Sequence, residues 1–429
     1  MRRGSALAVL TQGNSGETRL RVSRVFAIVL VGAALQLLTQ TLLARGLSKT
    51  DVGVVSLLIG VLPLLSTLSL LGQDSAVVRF ITRSDAGAYD IGRHFRRVLL
   101  IVLPLGAIAA LITGGVYRLN LVAVAVLLAL VVSQNVLAMS TSIQRALHRY
   151  EVAMAGTRAP VVLSALVLVA LFAAGALELS TALVALAASY AGSAVWVGIR
   201  QDRRMAAGPL GQRELIPNAV IRRGLFFLGL SASLSIMVAL DKLVIGKLMT
   251  YSDLAVYATI FAIMKGYDFL FYSISYVLMP RVNAVERVPM RTYNISLAVL
   301  AAVVTGAYLL FGEQIVHLLF DGRYDQGTFL ILPFALCGVA KLFYSVPSSV
   351  VGARLPERAL RQFLWFNLGG VVVNVVLDIV LIQSMGLLGA AVATAIAWLL
   401  RLTGGYVVIW LNREHLSRAP EESRASFGG

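Results

Sequence analysis

Lys242, Lys265, Lys341 and Arg401 each lie inside a long apolar stretch of this 429-residue chain. A cation at the centre of a bilayer costs at least ~2.5–3.5 kcal/mol, so it is kept where it faces a watery cavity or a partner. The chemistry such residues offer is the holding of an anion within a membrane. Lys265, Asp268, Tyr272 and Ser275 follow i, i+3, i+7 and i+10 and share one helix face. That face reads in two ways. Lys265 could attract an anion while Asp268 sets its pose or takes a coupling ion, or the two could neutralise each other as an i, i+3 pair. Lys242 shares a face with Ser231 and Ser235 and reads either as cavity lining or as a cation snorkelling to the interface. Its neighbour Asp241 is the second carboxylate suited to ion coupling. Gln36 and Gln40, with Gly32 and Thr39, form a polar face that could line a cavity or bond neighbouring helices. Lys341 stands with Ser345, Ser348 and Ser349. Asn367, Asn374 and Asp378 recur at i, i+7 and i+11, and Arg401 is a candidate structural partner for Asp378.

These residues need helices long enough to cross a membrane. The chain is 58% hydrophobic and 14% charged, with a mean hydropathy of +0.83, against roughly 25% charged residues in soluble domains. Twelve apolar spans are expected over 24–44, 52–73, 97–117, 121–144, 160–178, 181–199, 224–249, 253–280, 292–320, 327–351, 362–384 and 387–411. Ser48-Lys49-Thr50-Asp51 and Thr250-Tyr251-Ser252-Asp253 carry helix N-cap character between spans. Of the 37 Lys and Arg, 28 fall on the termini and one set of alternating loops and five on the opposite loops. Both termini are therefore expected in the cytoplasm. The net charge of +16 follows that pattern and argues against nucleic acid as a partner.

A shift of 202 residues lays 43–56 on 245–258, placing Arg45 on Lys247, Ser48 on Thr250 and Asp51 on Asp253. Six helices separate the two segments, so the halves are expected to be parallel repeats. The expected layout is a cytoplasmic tail (1–23), a first lobe (24–199), a linker (200–223), a second lobe (224–411) and a second cytoplasmic tail (412–429). The chain has no G-x-x-x-x-G-K-[ST] nucleotide loop, one cysteine, and four scattered histidines without metal-ligand spacing. No cofactor, metal or catalytic residue is expected, and the chain is not read as an enzyme.

LDKLVIGKLMTYSDLAVYA (240–258), LLARGLSKTDVGVVSLL (42–58) and NVVLDIVLIQSMGLLGAAVATAIAWLLR (374–401) together resemble Wzx-type polysaccharide flippases of the multidrug/oligosaccharidyl-lipid/polysaccharide exporter superfamily. Gln383-Ser384 stands where that family often has Ile-Pro. The resemblance implies an all-α polytopic membrane protein of two six-helix lobes around a central cavity, working by alternating access in the bacterial cytoplasmic membrane. It implies an undecaprenyl-pyrophosphate-linked saccharide as substrate, with Arg45, Lys242 and Lys265 meeting its anionic head group. Membrane lipids and enzymes of polysaccharide biosynthesis are the other implied partners. The alternatives are a cation-coupled multidrug exporter of the same superfamily and a polytopic glycosyltransferase or polymerase.

Overall fold

The computed structural model describes residues 16–81, 90–147, 149–205, 218–284 and 288–416. The outer parts of both expected tails and the middle of the expected linker, 206–217, lie outside the described residues. Among the described residues the regular structure is helical throughout. The long helices are α1 (Gly16–Gly46), α2 (Lys49–Leu70), α4 (Ile91–Val116), α5 (Leu121–Ala146), α6 (Tyr150–Ala173) and α7 (Leu179–Met205). They continue with α8 (Asn218–Leu248), α9 (Tyr251–Ala284), α10 (Met290–Phe320), α11 (Ile331–Arg354), α12 (Glu357–Met385) and α13 (Leu387–Leu411). Eleven of these are long and apolar enough to cross a membrane, and α1, of 31 residues, is the twelfth long helix. The protein is a multi-pass membrane protein.

Each expected span corresponds to one helix, but the helices outrun the spans at their basic ends. α6 begins ten residues early, through Glu151 and Arg158, and α7 continues through Arg203 and Arg204. Hydropathy marks the length of hydrocarbon to be crossed. Arg and Glu are good helix formers and carry the same helix on into the polar zone. A nine-residue helix, α3 (Gln73–Ile81), was not expected. Leu71 and Gly72, at φ 52° and 69°, turn the chain out of α2, and Ala76 then packs against Phe80 and Phe227.

The two N-caps are alike in detail. Ser48 Oγ donates to Asp51 Oδ2 at 2.6 Å and accepts from Asp51 N at 3.2 Å. Thr250 Oγ1 donates to Asp253 Oδ2 at 2.6 Å and accepts from Asp253 N at 3.2 Å. Each cap has aspartate at its third position, and at Thr250 the box is reciprocal, Thr250 N donating to Asp253 Oδ2 at 3.1 Å; together they support the 202-residue repeat.

Contacts group residues 28–255 into one compact unit and 256–429, with the start of α1, into another. This parting lies inside α9, and α8 packs along α2 within the first of these units.

Candidate functional site

In the unit 28–255, α2 and α8 run antiparallel and meet through small residues. A Cβ on Gly53 would fall on the backbone carbonyl of Tyr251, and one on Gly60 would fall on Lys242 Cδ. Thr67 Oγ1 and Ser235 Oγ share a hydrogen bond of 2.8 Å, and Gly72 approaches Gly224. Gly53, Gly60 and Thr67 lie seven apart, so one face of α2 is narrow enough for α8 to close on it. Lys242 is buried in this seam at 9% exposure, and Asp241 is buried beside it.

The seam is tied at the end where α8 passes to α9. Tyr117, just past α4, donates its hydroxyl to Leu243 O at 2.8 Å. Tyr251 donates to Tyr117 O at 3.1 Å, and Lys247 Nζ to Val116 O at 3.2 Å. Burial, reinforced by neighbouring Tyr251, pushes the Tyr117 phenol up to about 12, so it stays a donor at ordinary pH.

On α1, Gln36 and Gln40 are part-buried and Thr39 is buried. Arg158 of α6 lies across Gly32, one turn from Gln36, where a Cβ would meet its Cδ at 2.8 Å. The sequence placed Arg158 at a loop end, so this cation was missed as a neighbour of the glutamine face. Arg45 is exposed in the last turn of α1, about 14 Å of helix rise from Gln36.

In the unit 256–429, Asp268 Oδ1 accepts from Lys341 Nζ of α11 at 2.8 Å. This is a partner 73 residues away. Lys265 is part-buried one turn along α9 from Asp268, and Tyr272 is exposed one turn in the other direction. The Lys341 ammonium also sits 5.2 Å from the Phe261 ring and 5.1 Å from the Trp398 ring. Trp398 is shared, since the Arg401 guanidinium lies 5.0 Å from the same ring and 5.3 Å from Tyr344. Ring quadrupoles attract cations, more strongly once water is excluded, and Trp398 and Tyr344 are 2% and 4% exposed.

Arg401 Nε donates to Asn367 Oδ1 at 2.7 Å, and the Tyr344 hydroxyl donates to the same oxygen at 2.7 Å. Asn367 is eleven residues from Asp378, about 16 Å of helix rise. Asp378 Oδ2 accepts from Asn374 at 2.7 Å. Asp378 and Arg401 are thus buried on adjacent helices, with their shown hydrogen bonds going to different asparagines. Neither Trp398 nor Asn367 was assigned a cation-holding role from sequence. The signal that could have found them was spacing: Trp398 and Arg401 are i, i+3 on α13.

Twelve long helices among the described residues, with these cations buried among them, define a class: the polytopic α-helical membrane proteins. The fold resembles the lipid II flippase MurJ in an inward closed conformation (11% identity, 90% of this chain and 87% of that one, TM-score 0.64). It resembles an inward-facing MATE-family multidrug resistance transporter of the MOP superfamily (16% identity, 93% and 99% covered, TM-score 0.65). The MATE multidrug transporter DinF-BH, in complex with rhodamine 6G, is similar to the same degree (16% identity, 95% and 98% covered, TM-score 0.65). These likenesses bear out the all-α, two-lobe fold. Residues 22–286 match the family described as polysaccharide biosynthesis protein, and the chain belongs to that family. A comparison with curated proteins finds no match.

Proposed function

We propose that this protein flips an undecaprenyl-pyrophosphate-linked oligosaccharide across the bacterial cytoplasmic membrane, by alternating access of lobes 24–199 and 224–411 around a central cavity, for cell-surface polysaccharide synthesis. The observation that carries this reading is the set of cations kept deep in apolar helices of a polysaccharide-biosynthesis chain, above all Lys341 on its rings and Lys242 in the glycine seam. A drug exporter for organic cations would place acids there. In this reading Lys265, Lys242, Lys341, Gln36, Gln40 and Arg45 meet the head group, Asp268 and Asp241 are the ion-coupling candidates, and Asp378 with Arg401 is structural. Both termini lie in the cytoplasm, as the loop charges favour, and enzymes of the same biosynthesis supply and consume the cargo.

A multidrug exporter is the second reading. It is favoured by the likeness to MATE structures and by Asp378, a fully buried carboxylate beside Asn374.

Reconstituted protein is expected to move a fluorescent undecaprenyl-pyrophosphate saccharide between leaflets. Lys265→Ala should abolish this while leaving folded protein in the membrane, and Lys265→Arg should keep part of it, since charge survives while geometry changes. Transport of rhodamine 6G with no saccharide flipping would move the assignment to the second reading. Restored flipping in Lys265→Ala/Asp268→Ala would reduce Lys265 to a neutralising role.

A further inference from the structure

The Asp268–Lys341 pair is unequal. The Asp268 side chain is 27% exposed and that of Lys341 is 7% exposed, so an incoming group reaches the pair from the carboxylate's side. Tyr272, one turn along α9, is 50% exposed, and Lys265 is part-buried one turn the other way. The carboxylate thus occupies the approach to an ammonium that the Phe261 and Trp398 rings hold without supplying an anion. Trp398 is itself held by Arg401, which Asn367 fixes. A cation seated this way keeps its place when its carboxylate leaves, provided another anion arrives.

We propose that Asp268 is an exchangeable stand-in for the cargo's phosphates. A pyrophosphate displaces the Asp268 carboxylate from Lys341, with Phe261 and Trp398 keeping the ammonium in position through the exchange. This rests on the flippase reading and adds the device that makes it specific. A pyrophosphate carries more negative charge than a carboxylate and offers several acceptors, so it competes for the ammonium. An uncharged molecule offers Lys341 no anion in place of Asp268. Because Asp268 is on α9 and Lys341 on α11, exchange also releases a tie between two helices, so that arrival of the anion frees them to move.

Farnesyl pyrophosphate, with farnesol as the uncharged control, tests this on the full chain in nanodiscs. Asp268→Asn removes the competitor and should bind farnesyl pyrophosphate about ten-fold tighter, equivalent to 1.4 kcal/mol. Lys341→Met should lose binding, and Asp268→Asn should bring no gain in the Lys341→Met background. An intact Lys341–Asp268 pair can be read directly by keeping Trp398 as the sole tryptophan, with Trp196→Phe, Trp365→Phe and Trp410→Phe. Its emission should change on adding farnesyl pyrophosphate and not on adding farnesol. Binding of farnesyl pyrophosphate with no tightening in Asp268→Asn and no change in Trp398 emission would overturn the exchange while leaving the flippase reading in place. An equal gain with and without Lys341 would reduce Asp268 to a diffuse field and also overturn it. Failure of the unmutated protein to bind farnesyl pyrophosphate, alongside binding of rhodamine 6G, would overturn the flippase reading itself.

Discussion

Gly53→Ala adds one methyl group to the α2–α8 seam, where the structure leaves no room for it. An ideal Cβ there lies 2.6 Å from the carbonyl carbon of Tyr251 and 2.9 Å from its Cα. What it meets is backbone, so no rotamer change relieves the clash. Tyr251 is also the first residue of α9, held by the Thr250–Asp253 box and by its own hydroxyl on Tyr117 O at 3.1 Å. Replacing glycine with alanine inside a helix gains about 1 kcal/mol of propensity. Overpacking costs about 1–3 kcal/mol, toward the upper end where the neighbour cannot move. The expected net loss is about 1–2 kcal/mol. Gly306→Ala is the control, since Gly306 lies within α10 with nothing within 4 Å of the added atom. That substitution should stabilise by about 0.5–1 kcal/mol. Thermal melting in detergent, followed by loss of the monodisperse size-exclusion peak, should place the two variants on opposite sides of the unmutated protein. A Gly53→Ala protein that melts with Gly306→Ala would refute the close seam.

Asn367→Leu removes the acceptor shared by Arg401 and Tyr344 and should cost about 2–3 kcal/mol, as losing a hydrogen bond to a buried charge does. Tyr344→Phe removes one neutral donor and should cost about 1 kcal/mol; equal melting losses would contradict the shared oxygen. An unfolded tyrosine ionises near pH 10 whereas Tyr117 holds its proton to about 12. The folded state therefore binds the extra proton, and the contribution of Tyr117, complete below pH 10, should be lost as pH rises from 10 toward 12. Tyr117→Phe should flatten that part of the stability curve, and an unchanged slope would remove Tyr117 from the hydrogen bonds that tie the seam. In a Cys337-free chain, cysteines at Ser48 and Gln326 should react with an impermeant thiol reagent on intact cells and one at Ser417 should not; the opposite pattern would invert the orientation.

The helices were legible because each is an apolar run of membrane length, and the two caps because Ser48–Asp51 and Thr250–Asp253 are contacts three residues apart. Lys341 was visible as a misplaced charge. Its partner was not, since nothing local joins residues 73 apart, and the nearer Lys265 offered Asp268 a simpler companion. Gly53 and Gly60 carried no message until the opposing backbone of Tyr251 and side chain of Lys242 were in place. The seven-residue spacing shared with Thr67 was the clue to them. α3 is too short for a hydropathy window, and its Arg79 made it read as part of a basic loop.

The repeat separates what the fold requires from what has been added to it. The 202-residue shift that superposes the two caps also carries Trp398 onto Trp196, Lys341 onto Met139 and Arg401 onto Ile199. The helix pairings agree, with α5 packing on α7 in one half and α11 on α13 in the other. In the first half, Trp196 packs against an apolar cluster of Leu137, Ala194 and Val197, and Met139 is fully buried in another. In the second half the matching indole holds two cations. The same helical frame therefore packs with an apolar residue at the Lys341 position, whereas Ile199, at the Arg401 position, is exposed. Lys341 is not needed to build it, and such a charge costs at least ~2.5–3.5 kcal/mol in the membrane unless its surroundings offset it. Asp268, which meets Lys341, likewise falls on Ser66 in the first half. The ion pair is thus a one-sided addition to a frame whose indole both halves keep. The proposed holding of an anion at Lys341 gives this asymmetry a reason that packing alone does not.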